Sequence, residues 1–185
     1  MSKAIHTPTN EFVQYYIKSF DKDNRISLTD KSISILLKKF PNNVELEEIL
    51  LKVVSINTLY STSILDTIKM AEWILKCNID DRLKNGKADL VNNIAVGHGI
   101  RSNQSKDKLN PKDLIFYSFA TKYCSWHNNN SFPIYDSFVE KILIEYQKRD
   151  KFSNFKAIEL KDYCVFKNVI CLSVSFPKPI PTILS

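Results

Sequence analysis

Apolar residues recur at intervals of three and four along most of the chain, which is the period of a helix with one buried face. The first such stripe consists of Phe12, Val13, Tyr16, Ile17 and Phe20. The same period predicts further helices near residues 29–40, 45–57, 64–76, 78–84, 88–96, 111–126 and 136–147, with one or two short ones after 149. The pattern therefore predicts an all-α, single-domain fold of about eight to ten helices.

The segment 114–126 is apolar over much of its circumference, unlike the other predicted helices. We expect it to be the central and most buried helix. The end of the chain differs, because SVSFPKPIPTILS contains three prolines at alternate positions, which prevent a helix. The sequence thus divides into a helical domain, residues 1–172, and an irregular Pro-rich C-terminal tail, residues 173–185.

The composition excludes several classes of protein. Three glycines in 185 residues are too few for a glycine-rich nucleotide loop. The four cysteines have no Cys-x-x-Cys spacing, so we expect neither a metal site nor a disulfide framework. No apolar run reaches membrane-spanning length and no signal peptide is seen. We therefore expect a cytoplasmic protein that uses no metal and no other cofactor.

The net charge of +6 is concentrated in the second half of the chain. Residues 1–100 have thirteen Lys and Arg against twelve Asp and Glu, whereas residues 101–185 have thirteen against eight. A basic region suits a polyanion such as nucleic acid. The candidates for phosphate contact lie in and just after the polar stretch 97–110, and the alternative is a solvated loop. They are Arg101, Lys106, Lys108 and Lys112.

Asp136 follows the run Phe-Pro-Ile-Tyr and precedes a predicted helix. The ordinary role of Asp at this position is the N-cap, in which the carboxylate accepts backbone N–H bonds. A capping carboxylate is also held in one orientation and kept ionised. Such a group can stabilise a developing sugar cation or orient an attacking water, so capping and catalysis are compatible.

Lys122 lies inside the apolar segment FYSFATKYCSW, fourteen residues before Asp136. Its amine either extends to solvent or is desolvated. Desolvation lowers the pKa of a lysine and makes the amine a nucleophile able to form a Schiff base. The alternative is a solvated lysine or a structural ion pair.

Polar and aromatic residues near helix ends are the candidates for substrate contact. Asn57 and Tyr60 lie at a junction rich in Ser and Thr, where they either read a flipped base or satisfy backbone groups. His127 ends the apolar helix, a position that the helix dipole favours. Three further aromatic residues are candidates for stacking on a base: Tyr123, Trp126 and Tyr135.

Three segments, NTLYSTSI, NIDDRL and FYSFATKYCSWHNNNSFPIYDSFVEKIL, resemble a group of uncharacterised bacterial proteins. These proteins in turn resemble the helix-hairpin-helix DNA glycosylase superfamily, which includes endonuclease III and the 8-oxoguanine glycosylases. Residues 133–139, PIYDSFV, are similar to the Val-Asp-Thr-His-Val type of element that carries the catalytic Asp of that superfamily.

The resemblance implies that residues 1–172 form a glycosylase-like domain that excises a base from double-stranded DNA, with or without lyase activity. It implies that Asp136 is the catalytic carboxylate and that Asn57 fills the gap left by the flipped base. Lys122 lies about one turn after the position of the superfamily's lyase lysine. The chain also lacks the glycines of the superfamily hairpin, because Asn-Pro-Lys occupies residues 110–112.

Two other functions remain open at this point. The first is a helical nucleic-acid-binding module that keeps the fold without the chemistry. The second is a protein-interaction module of a defence or regulatory system, with the Pro-rich tail as the ligand of a partner.

Overall fold

The computed structural model describes residues 9–22, 24–96, 99–100 and 116–175. Over these residues the chain forms nine α-helices, one 3-10 helix and no β-strand, which confirms the all-α prediction. The elements are α1 (Asn10–Lys22), α2 (Asn24–Lys39), α3 (Leu46–Tyr60), α4 (Thr67–Cys77), α5 (Asp80–Lys84), α6 (Asp89–Ala95), α7 (Tyr117–His127), α8 (Ser137–Asp150), a 3-10 helix (Ala157–Lys161) and α9 (Tyr163–Ser175).

Three helix ends differ from the sequence prediction. Helix α2 begins at Asn24, five residues before the start near residue 29 that the apolar period predicts. Asn78, predicted to start α5, instead ends α4 in the left-handed conformation with φ 45°, which Asn tolerates better than most residues. Helix α9 continues to Ser175, three residues into the predicted tail, because the prolines begin only at residue 177. The remainder of the tail, 176–185, lies outside the described residues.

Helix α7 is the central helix, as its apolar sequence predicts. Eight of its eleven residues are buried, and it packs against α2, α3 and α6. Because neighbours surround it on most sides, the polar members Thr121 and Lys122 are buried as well. Their positions are therefore set by packing rather than by solvent.

A buried polar network fixes the loop between α2 and α3 against α3 and α5. Asn43 in this loop is 2% exposed and donates to both carboxylate oxygens of Asp80, from its backbone N at 2.8 Å and its Nδ2 at 2.6 Å. Lys52 of α3 has no exposed surface and donates to the carbonyls of Phe40 and Asn42 at 3.2 and 2.6 Å. Burial lowers the pKa of Lys52 to about 8. The loop following α2 is thus held by buried side chains.

Candidate functional site

Lys122 is buried rather than extended to solvent, which decides between the two positions that its sequence allows. Its side chain is 8% exposed, and Nζ donates to Ser118 Oγ at 2.6 Å, one helical turn earlier. Burial lowers the pKa of the amine below its ordinary value, and the Asp136 carboxylate partly opposes that shift. The site therefore contains an amine that loses its proton more easily than an ordinary lysine.

Asp136 is the N-cap of α8. Its Oδ1 accepts from the backbone N of Phe138 at 2.9 Å and of Val139 at 2.8 Å. Within the part of the chain that the structure describes, Oδ2 accepts no hydrogen bond. The cap therefore fixes the orientation of the carboxylate and leaves one oxygen available to a ligand.

The segment leading to Asp136 is fastened to its neighbours at two points. The backbone N of Tyr135 donates to Thr121 Oγ1 at 3.3 Å, which ties the segment to α7. The Tyr163 hydroxyl of α9 donates to the carbonyl of Pro133 at 2.9 Å. The first bond holds the segment against the turn of α7 that carries Lys122, where burial lowers the pKa of the lysine and the Asp136 carboxylate acts to raise it.

A cavity of about 660 Å³ lies between α2 and the ends of α3 and α7. Volumes of this size are typical of small-molecule sites. Three predicted contact residues line it: Tyr60, Trp126 and His127. The remaining lining residues are Asp30, Ser34, Leu37, Lys38, Pro41, Ser125, Asn129 and Ile134. Aromatic, anionic and cationic side chains thus meet in one open cleft.

Tyr60 connects the cavity to the Lys122 amine. Its hydroxyl accepts from Trp126 Nε1 at 3.1 Å and lies 3.4 Å from Asp30 Oδ1, to which it donates. Lys122 Nζ lies 5.8 Å from the centroid of the Tyr60 ring, within cation–π distance. Burial is the main cause that raises the pKa of Tyr60 to about 12, so the phenol is protonated at neutral pH.

His127 lines the same cavity as a neutral side chain. Its ring lies 5.1 Å from the ring of Tyr123, and no donor or acceptor of the described residues reaches its buried Nε2. Burial lowers the pKa of His127 to about 4, helped by the positive charge of Lys52 and opposed by Asp80. The imidazole is therefore uncharged near pH 7.

Three other predicted contact residues have structural positions outside the cavity lining. Asn57 organises the turn after α3: its Nδ2 donates to the Ile64 carbonyl at 3.0 Å, and its Oδ1 accepts from Thr62 Oγ1 and from the Ile64 backbone N, each at 2.9 Å. Both polar atoms of its amide are thus occupied within the chain. This placement corresponds to the backbone-satisfying alternative rather than to a residue presented to DNA.

Tyr123 and Tyr135 are core residues. Tyr123 has no exposed surface, and Tyr135 is 4% exposed, so neither ring offers a face on which a base can stack. The Tyr135 hydroxyl donates to Glu140 and accepts from Lys161, which joins α8 to the 3-10 helix. The four predicted phosphate contacts, Arg101, Lys106, Lys108 and Lys112, lie outside the described residues.

Sequence reasoning missed two charged members of the cavity, Asp30 and Lys38. The signal available was their spacing, because Asp30, Ser34, Leu37 and Lys38 lie at i, i+4, i+7 and i+8 on one face of α2. The pairing of this face with α3 and α7 depends on tertiary packing.

The described residues provide neither a grouped set of metal ligands nor a membrane-spanning helix. Among the residues that the structure describes, no three His, Cys, Asp or Glu side chains are grouped so that they could hold a metal ion. Over the same part of the chain, no helix has the length and apolar character needed to span a membrane.

Comparison with known proteins places this helical, cavity-bearing chain in one family. Residues 12–131 match the family described as HI_0787_N, N-terminal domain, and the chain belongs to that family. An uncharacterized protein of Haemophilus influenzae is 44% identical over 115 residues, which is 62% of this chain and 52% of that protein. The match therefore spans about half the length of that relative. No solved structure matches the chain significantly.

The family match includes most of the cavity lining and the Lys122 amine but not the Asp136 carboxylate. It includes the cavity residues Tyr60, Trp126 and His127 together with Lys122, and it ends at Ser131, five residues before Asp136. The amine and all lining residues of the cavity except Ile134 therefore lie within the matched domain, while Ile134 and the carboxylate lie beyond it.

Proposed function

We propose that the chain binds DNA and excises a base that has been flipped from the duplex, as a DNA glycosylase of the helix-hairpin-helix type. The observation that carries the proposal is the buried Lys122 amine, bound to Ser118 Oγ at 2.6 Å and close enough to the Asp136 carboxylate to sense its charge. A desolvated amine beside a fixed carboxylate suits a reaction that passes through a sugar cation.

Asp136 and Lys122 act at the same atom of the sugar, C1′. As the glycosidic bond breaks, its electron pair leaves with the base, which takes up a proton, and the Asp136 carboxylate stabilises the positive charge at C1′. The Lys122 amine, once it has lost its proton, adds to C1′ and then loses a second proton. Opening of the sugar with protonation of the ring oxygen then gives an iminium ion, the Schiff base. If water adds instead, excision proceeds without a covalent intermediate.

The cavity supports the proposal because it adjoins this pair through Tyr60. A base removed from the stack needs a pocket with aromatic walls and a few polar groups. Tyr60, Trp126 and neutral His127 supply those groups.

The test is strand scission on a panel of DNA duplexes that each contain one modified base. The native protein is compared with Asp136→Asn, Lys122→Gln and a matched control, Lys141→Gln, an exposed lysine of α8. We expect alkali-dependent cleavage of at least one duplex, lost in Asp136→Asn. We also expect a borohydride-trapped adduct that is absent in Lys122→Gln and present in Lys141→Gln. No cleavage and no adduct across the panel would reject the enzymatic proposal.

A second candidate is a non-catalytic nucleic-acid-binding module within a longer protein. The observation in its favour is that the family is described as an N-terminal domain and that the match ends before Asp136. This candidate predicts DNA binding that weakens with added salt and is unchanged in Asp136→Asn, with no cleavage of any duplex.

A further inference from the structure

The cavity between α2, α3 and α7 has the features of a ligand site independently of the Lys122 chemistry. Two of its aromatic residues hold each other in place, because Trp126 Nε1 donates to the Tyr60 hydroxyl at 3.1 Å. Both side chains are partly exposed, in contrast to the fully buried Tyr123. Aromatic side chains fixed at the wall of a cleft favour a flat ring as the ligand.

The charges of the cavity lie at separate places along α2. Asp30 and Lys38 are eight residues apart, which corresponds to about 12 Å along the helix axis. Both are exposed, and neither forms an ion pair among the described residues. Tyr60 donates to Asp30 Oδ1, whereas Asp30 Oδ2 accepts no hydrogen bond in the described part of the chain. The cavity thus offers an acceptor at one end and a cation at the other.

We infer that this cavity takes a single nucleotide unit whose base carries an exocyclic amino group, with that edge toward Asp30 and the phosphate toward Lys38. A carboxylate only accepts hydrogen bonds, and the two carbonyl oxygens that flank the single ring N–H of thymine repel it, so Asp30 favours the amino-bearing bases cytosine, adenine and guanine. Lys38 contributes as a point charge for the phosphate. The ligand is either a free mononucleotide or a nucleotide flipped from DNA, which share this chemistry.

The inference deepens the proposed function and rests on it for the flipped-nucleotide case, but its test involves no excision. Trp126 is one of only two tryptophans, and Trp73 donates to the Asn93 carbonyl away from the cavity lining. The Trp73→Phe variant therefore makes Trp126 the sole indole reporter. Its fluorescence is titrated with dCMP, dAMP, dGMP and dTMP, with the corresponding nucleosides, and with a duplex that contains one unpaired cytosine or thymine.

In the Trp73→Phe background we expect Trp126 quenching by the amino-bearing nucleotides and roughly tenfold weaker binding of dTMP, the value of one charge-assisted hydrogen bond. Adding Asp30→Asn removes that preference, whereas Asp81→Asn, an exposed control on α5, retains it. Adding Lys38→Gln lowers the affinity for the monophosphates about threefold and leaves the affinity for the nucleosides unchanged. The neighbouring Lys39→Gln leaves both unchanged.

A response to the duplexes alone, stronger for unpaired cytosine than for thymine, identifies the ligand as a flipped nucleotide, and a response to the mononucleotides identifies it as free. No response to any probe overturns the inference, and so does equal affinity for the thymine-bearing and amino-bearing probes. Strand scission that depends on Lys122 without any Trp126 response leaves the proposed function in place and rejects this ligand assignment. Binding of the probes without strand scission supports this ligand assignment and rejects the proposed excision.

Discussion

The Tyr123 hydroxyl donates a 2.6 Å hydrogen bond to Asn43 Oδ1 across 80 residues of sequence. The bond joins the central helix α7 to the loop after α2, and the same Asn43 donates to both carboxylate oxygens of Asp80. Pro41, two residues earlier in this loop, lines the cavity. The wall of the candidate site is therefore supported from the core.

Replacement of Tyr123 by Phe is expected to lower the free energy of unfolding by about 1–3 kcal/mol, because it leaves the buried Asn43 oxygen without a donor. The measurement is urea denaturation followed by circular dichroism. Tyr15→Phe, at a tyrosine that is 66% exposed, is the matched control and should change stability by less than about 0.5 kcal/mol. Equal stability of the two variants would contradict the role assigned to the bond.

Asn57→Ala should lower the free energy of unfolding by about 2 kcal/mol, since it removes an amide that makes three hydrogen bonds within the turn after α3. The turn needs this support because Ser61 and Ser63 both have positive φ, at 50° and 66°. Thermal and urea denaturation measure the loss, with the exposed Asn168→Ala as control. A loss of DNA affinity without a loss of stability would instead favour a direct contact between Asn57 and DNA.

His127 makes stability depend on pH in the acidic range. Its pKa is lowered to about 4 in the folded chain, against about 6.5 in the unfolded chain. The unfolded state therefore binds a proton first, and stability that is present above about pH 6.5 is lost as pH falls through about 4. The contribution is at most about 3.5 kcal/mol, because the two pKa values differ by about 2.5 and each pKa unit corresponds to about 1.4 kcal/mol.

The measurement is the free energy of unfolding at pH 7, 5.5 and 4.5 for the native chain and for His127→Gln. The difference between the two proteins isolates this residue from carboxylates that titrate in the same range. We expect the native chain to lose more stability on acidification than the variant. Parallel pH profiles would show that His127 titrates normally.

Two substitutions of Asp136 should separate its contribution to stability as a helix cap from the contribution of its charge to excision. Asp136→Ala removes the acceptor of two backbone N–H groups and should cost about 1 kcal/mol of stability, whereas Asp136→Asn keeps an acceptor and should cost only a few tenths. If the proposed chemistry holds, both variants lose excision. Asp66, which caps α4 by accepting from the Lys69 backbone N, provides matched controls with the same stability pattern and full excision.

The sequence predicted the helices well because each has its own apolar period, and it placed α7 at the centre because that segment alone is apolar on most sides. Side-chain positions that depend on distant partners were not predictable. Lys52 was assigned to no buried role, because its burial depends on two carbonyls that become available only when the loop packs on α3. Tyr123 and Trp126 looked alike in sequence, yet one bonds inward to Asn43 and the other lines the cavity.

The enclosed Lys52 amine also provides a natural reporter of local opening. Because it donates to the Phe40 and Asn42 carbonyls and has no exposed surface, an amine-directed acylating reagent can reach it only when the loop after α2 separates from α3. Its rate of labelling, relative to that of surface lysines, therefore measures how often the loop after α2 opens locally while the rest of the chain stays folded. Any ligand that bridges α2 and α7 should slow that rate.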